Sequence, residues 1–309
     1  MTDLSDRISA SNIPASAGLT RRHLFQGAAA MGAGLAAGGV AHAQAMPVAQ
    51  GGALKGTINH SVARWTFGDM PLADLCVMAR DMGLKAIDLC GSDDWPVLKE
   101  HGLDSSMCNG AEISLEAGWA DPANHDDLIR RYRDHIRLVA DAGYRNLICF
   151  SGNRGAISDQ QGLENCVAGL SQILPQAQEA AVTLVIELLN SRVDHPDYMC
   201  DRSAWGVALC ERLGASNFGL LYDIYHMQIM EGDVIRTITD HHTWFAHYHT
   251  AGNPGRHEPD DSQELNYPAI CRAIRDTGFQ GYVAQEFIPS GTGQQAADAL
   301  RDAVRLCDV

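Results

Sequence analysis

Positive charge is scarce in this 309-residue sequence, with 23 Lys and Arg against 38 Asp and Glu and a formal net charge of -15. No long basic block reverses that balance, which excludes a phosphate-backbone partner and with it a nucleic-acid-binding role. No C-x-x-C occurs among the nine cysteines, and their number is odd. A zinc ribbon and a disulfide scaffold are thereby excluded, and the thiols read as small core residues. No G-x-G-x-x-G or P-loop follows the early strands, which weakens any reading as a nucleotide-binding open sheet. Past residue 45 no apolar run is long enough to span a bilayer. What is there, 46% hydrophobic and 20% charged, is a globular composition with ample apolar material for a core.

The first 45 residues differ from the rest. Thr20-Arg21-Arg22-His23-Leu24-Phe25 precedes a weakly apolar Ala/Gly/Met run from Gly27 to Val40, and Ala41-His42-Ala43 follows with an A-x-A cleavage pattern. A charged start, a short apolar stretch and small residues before the cut describe a removable export signal. The paired arginines and modest hydrophobicity resemble a twin-arginine signal, so the expected location is the periplasm. Residues 46–309 remain for the mature domain.

Along that remainder, strand and helix signals alternate. Strands are predicted at Leu54–Val62, Leu84–Leu89, Leu103–Asn109, Arg145–Phe150, Val182–Leu188, Phe218–Tyr222, Trp244–His249 and Tyr282–Ala284. Helices are predicted between them, among them Pro71–Met82, Asn124–Ala142, Ser203–Leu213, Leu265–Thr277 and Gln294–Cys307, several closed by a glycine. A helix from Ser158 to Ala181 is expected to break or bend at Pro175. Eight alternating units call for a parallel sheet closed into a single (β/α)8 TIM barrel, with the open doubly wound sheet as the competitor.

In such a barrel the chemistry sits at the C-terminal ends of the strands. Those ends carry Glu187 after strand five, Asp223 after six, His249 after seven and Glu286 after eight. Three carboxylates and an imidazole without a thiolate suit a hard divalent ion, Mn²⁺, Mg²⁺ or Co²⁺. His226, three residues after Asp223, can reach the same mouth from the following turn. His247, two residues before His249, shares its side of the strand and reads as a substrate-side or supporting donor, or as barrel filler. Arg256, in the Gly/Pro-rich loop Ala251–Asp260, can grip a substrate carboxylate with its planar fork or pair with Glu258 or Asp260.

Three stretches carry a family resemblance: Val185-Ile186-Glu187, the run Leu221–Asp233 with its Asp-x-Tyr-His-x-Gln-x-Met-Glu-Gly-Asp pattern, and Ala251–Asp260 with Pro-Gly-Arg-His-Glu-Pro. They resemble the hydroxypyruvate isomerase family, part of the larger xylose-isomerase-like barrel group that includes the ketose 3-epimerases. The resemblance covers about residues 55 to 307. It implies that Glu187, Asp223, His249 and Glu286 hold a metal and that the two glutamates form the proton-transfer pair. In the hydroxypyruvate isomerases the third ligand is typically Gln; His249 matches the epimerases instead. The expected activity is aldose–ketose type isomerisation, most simply of hydroxypyruvate to tartronate semialdehyde. The same first step also serves 3-epimerisation or β-elimination from a 3-keto-glycoside, and a non-catalytic sugar-binding protein is the third class. The expected partners are a small hydroxy-keto acid or sugar and, for a protein partner, further copies of the chain.

Overall fold

The computed structural model describes residues 53–309. The twin-arginine segment and its Ala41-His42-Ala43 site lie outside the described residues. Eight parallel strands close into one barrel in chain order. They are β1 (Asn59–Ala63), β2 (Ala86–Cys90), β3 (Asp104–Cys108), β4 (Asn146–Cys149), β5 (Thr183–Glu187), β6 (Phe218–Asp223), β7 (Phe245–Thr250) and β8 (Tyr282–Gln285). The helices outside them are α1 (Leu72–Asp81), α2 (Trp95–Glu100), α3 (His125–Ala142), α4 (Asp159–Leu170), α5 (Leu174–Glu179), α6 (Ser203–Leu213), α7 (Ile224–Met230), α8 (Val234–His241), α9 (Tyr267–Asp276) and α10 (Gln294–Cys307). This is the barrel expected from the alternation of signals. Among the described residues no helix is long and apolar enough to cross a membrane.

Strands β4, β5 and β6 read as near-continuous apolar runs because both of their faces are covered, one by the lumen and one by helices. All six residues of β6 are buried, as are the last four of β5. Helix α3 turns Leu128, Ile129, Tyr132, Ile136 and Val139 to the barrel. Each such side chain contributes about 1.5–3 kcal/mol on burial. It stops at Gly143, whose φ of 82° is the left-handed conformation that a side chain would strain. All nine cysteines are buried and unpaired, as their spacing implies.

One expectation is corrected. Pro175 does not break a helix; it stands in the first turn of α5, where its missing N–H costs nothing. The break between α4 and α5 falls before it, over residues 171–173.

Register then builds the mouth. Leu220 pairs with Phe245 but Leu221 with His247, so Ala246 is an extra residue in β7. Past this bulge Asp223 lies directly beside His249, and Thr250 beside Gln285. The amide of Glu286 extends the ladder by donating to Thr250 O at 2.9 Å.

Candidate active site

Glu187 and Asp223 end their strands, Glu286 follows β8 by one residue and His249 stands one residue before the end of β7, and the barrel turns all four toward one point. Their ligating atoms all lie within 4.8 Å of one another. His249 Nδ1 is central: it is 3.0 Å from Glu286 Oε2, 3.3 Å from Glu187 Oε1 and 4.0 Å from Asp223 Oδ2. None of the four residues is more than 4% exposed, so little water screens their charges.

That burial drives the protonation of the set. It raises Asp223 to about 8 against the pull of Arg256, with the Glu286 charge adding to the rise. It raises Glu187 too, in spite of a contact with His249. At Glu286 burial acts the same way, yet the charges of His249 and Arg256 outweigh it and hold the carboxyl well below its usual range. His249 is pushed well above the ordinary imidazole value, because Glu286 and Asp88 overcome its desolvation. Glu187 Oε1 is buried with no hydrogen-bond partner among the described residues. Oxygen-rich donors, mutually repulsive and incompletely satisfied, fit a divalent cation.

Arg256 reaches the site from the loop after β7. Gly252 lets that loop curl, since a Cβ there would lie 2.8 Å from Glu258 O. Arg256 N donates to Gly252 O at 2.9 Å, and Arg256 O accepts from Ile288 N at 2.7 Å, which holds the residue at a φ of 58°. Its Nη2 donates to Glu286 Oε2 at 2.6 Å and is 3.7 Å from Asp223 Oδ2. The guanidinium lies over the rings of Trp65 and Tyr225, at 5.2 and 5.4 Å from their centroids. Its Nε is buried without a hydrogen-bond partner among the described residues. A pairing with Glu258 or Asp260 does not form: Glu258 accepts from Ser290, and Asp260 from Ser262.

His226 also meets the site. Asp223 caps α7 by accepting from His226 N, which fixes the turn. Asn190 N donates to His226 Nδ1 at 3.2 Å, and Asn190 Nδ2 lies 2.6 Å from it. Asn190 Oδ1 in turn accepts from Val193 N and Asp194 N, so the amide nitrogen faces the ring. Nδ1 is therefore the acceptor and Nε2 carries the proton. Nε2 lies 3.6 Å from Asp223 Oδ2. Burial, with the Arg256 charge, keeps this imidazole neutral by pushing its pKa well down.

His247 lies two residues deeper in β7 and faces Asp88, with Nε2 2.9 Å from Asp88 Oδ2. It stands below the mouth rather than on the substrate side, against a carboxylate outside the four-donor set. Three residues went unseen in the sequence. Trp65 Nε1 donates to Glu286 Oε1 at 2.7 Å, Asn190 sets the His226 tautomer, and Asp88 meets His249 Nε2 at 2.9 Å. Asp88 alone had a signal, being an acid inside the otherwise apolar run Ala86-Ile87-Asp88-Leu89-Cys90. Burial would raise it, but His247 and His249 hold its carboxyl well below the usual range.

Comparison with known proteins agrees with this architecture. The family model described as xylose isomerase-like TIM barrel matches residues 77–307. A 2-oxo-tetronate isomerase of Cupriavidus necator is 37% identical over 200 residues, 62% of this chain and 75% of that protein. A hydroxypyruvate isomerase of Escherichia coli K12 is 26% identical over 237 residues, 73% of this chain and 91% of its own. A solved structure of an AP endonuclease, family 2, from Brucella melitensis superimposes with a TM-score of 0.70 at 23% identity, over 79% of this chain and 97% of that one. The chain belongs to the xylose isomerase-like TIM-barrel family and is an enzyme, an isomerase.

Proposed function

We propose that the protein is a divalent-metal-dependent isomerase of a short hydroxylated 2-oxo acid, with hydroxypyruvate, converted to tartronate semialdehyde, as the expected substrate. The observation that carries this reading is the convergence of Glu187, Asp223, His249 and Glu286 within 4.8 Å. The carboxylate-specific part rests on Arg256, whose Nε is buried and unpartnered beside them.

The reaction moves a carbonyl by one carbon. A proton leaves C3, an enediolate forms, a proton arrives at C2, and the hydroxyl proton passes from the C3 oxygen to the C2 oxygen. A Mn²⁺, Mg²⁺ or Co²⁺ ion held by Glu187, Asp223, His249 and Glu286 would supply the Lewis acidity that offsets the developing negative charge. The chain's own groups divide the rest. Glu286, which His249 and Arg256 hold ionised, takes the C3 proton. Glu187, which burial holds toward its protonated form, delivers a proton to C2. Arg256 orients the substrate carboxylate, and the His226 Nε2–H donates to a substrate oxygen. A four-carbon 2-oxo acid is the second reading, favoured by the 37% identity to the Cupriavidus necator 2-oxo-tetronate isomerase.

The test is turnover of hydroxypyruvate and of 2-oxo-tetronate by the metal-loaded protein, followed by NMR in D₂O beside a chelated control. Metal-dependent isomerisation with deuterium entering the product is the expected result, and the faster acid names the substrate. A protein that holds its ion, leaves both acids untouched and exchanges protons of a ketose, or releases the aglycone of a 3-keto-glycoside, would shift the reading to epimerase or lyase. Tight sugar binding that survives the chelator would shift it to a binding protein.

Residues 1–45 belong to this proposal as a twin-arginine export signal that delivers the enzyme to the periplasm. The paired Arg21-Arg22 ahead of the Gly27–Val40 run supports it. Replacing both arginines by lysine should leave the protein in the cytoplasmic fraction; unchanged fractionation removes the signal.

A further inference from the structure

The lumen of a (β/α)8 barrel is ordinarily filled by layers of branched apolar side chains. Beneath the mouth this barrel holds a polar layer instead, in which Asp88, Ser106, His247 and His249 are all fully buried. Asp88 comes from β2 and the histidines from β7, strands that are not neighbours, so the contact crosses the lumen. Asp88 Oδ1 is 2.9 Å from His249 Nε2. Its Oδ2 accepts from Ser106 Oγ at 2.5 Å and lies 2.9 Å from His247 Nε2. A buried carboxylate is costly unless its oxygens are met, and both of these are.

We propose that Asp88 is a positioning residue that holds the ring proton of His249 on Nε2 and leaves the Nδ1 lone pair facing the ion. This rests on the metal-dependent reading above. A neutral imidazole has one N–H and one lone pair, and its partners decide which nitrogen carries which. On the Nδ1 side two carboxylates, Glu286 at 3.0 Å and Glu187 at 3.3 Å, would each accept that proton. Left to them, His249 would point a donor where a ligand needs a lone pair. Asp88 is the competing acceptor on the far edge of the ring. Ser106 keeps its carboxylate from turning away. His247 packs edge-on against His249, with centroids 5.1 Å apart at 82°, and so limits the tilt of the ring.

Two measurements on the full chain test this. Histidine nitrogen NMR of the wild-type protein loaded with Mg²⁺ should find the His249 proton on Nε2. Titration calorimetry with Mn²⁺ should find one ion per chain, bound about 10- to 100-fold more weakly by Asp88→Leu. Asp88→Asn, which keeps an acceptor oxygen, should lose less. A role in stability alone would lower the melting temperature of these variants and leave the Mn²⁺ affinity of the folded protein unchanged. A proton on Nδ1 in the loaded wild type overturns the proposal, as does an ion bound between Asp88 and His247, or unaltered Mn²⁺ affinity in folded Asp88→Leu. A wild-type chain that takes up neither ion overturns the functional reading as well, which separates the two failures. Should Asp88→Leu not fold, the wild-type NMR result decides.

Discussion

At the mouth of the barrel, His249 has carboxylate oxygens at 2.9, 3.0 and 3.3 Å. At the opposite end, His60 near the start of β1 has one, that of Asp308, at 3.8 Å. Both rings are buried, at 0% and 1% exposure, so both pay the same kind of desolvation. Their protonation goes opposite ways. Burial drives His60 down to about 4, with Asp308 recovering little and Lys85 adding to the fall, whereas Glu286 and Asp88 carry His249 well above its ordinary value. The number and closeness of the facing acids decide the sign, not burial. The mouth repeats the lesson with its two glutamates. Glu286 is met by Trp65, Arg256 and His249 and is held low, while at Glu187 burial outweighs the single His249 contact and the carboxyl is raised.

Removing either glutamate's proton-carrying capacity is the largest expected effect. Glu187→Gln and Glu286→Gln should each lower kcat by about 10²–10⁴-fold, measured on protein whose ion content is checked. Near-normal turnover by an ion-loaded Glu286→Gln would mean that the two glutamates do not share proton transfer.

At the other end, His60 should make stability depend on pH. Above pH 6.5 it is neutral folded and unfolded. As pH falls from 6.5 toward 4 the unfolded chain binds a proton that the folded chain does not, so stability is lost through that window. The loss levels off below about pH 4 at about 3 kcal/mol. Urea denaturation of wild type and His60→Gln across that range reads it. Parallel curves would show that His60 is not the titrating group.

Cation binding should act on the mouth alone. Mn²⁺ at about 100 times its Kd should stabilise the fold by about 2.7 kcal/mol, removed by chelator. The same stabilisation in Asp223→Ala would place the ion elsewhere.

The smallest effect concerns Trp65→Phe, which keeps the ring over Arg256 but deletes the donor to Glu286. It should cost about 0.5–1.5 kcal/mol in kcat/KM and move the acid limb of the pH–rate profile upward, toward the behaviour of Glu187. An unmoved limb would mean that Trp65 does not set the difference between the glutamates.

The order of strands and helices, and the four donors at the mouth, follow from the sequence itself. Apolar runs of strand length ending in Glu187 and Asp223, and the strand pattern of aromatic residues alternating with His247 and His249, are local patterns, and helix bounds such as Ser203–Leu213 and Gln294–Cys307 fall where periodicity places them. Only the closed barrel decided the rest. Asp88 lies 161 residues from His249 and meets it across the lumen, and Trp65 lies 221 residues from Glu286. Nothing in the neighbourhood of either residue in the chain encodes those partners. The same holds for Arg256, whose sequence neighbours offered Glu258 and Asp260, while the folded loop turned it to Glu286 and Asp223. Local hydrophobic spacing determines which element forms, because it acts over one turn or one pleat. Which nitrogen of a buried histidine holds a proton depends on charges brought within 4 Å by the closure of the whole sheet.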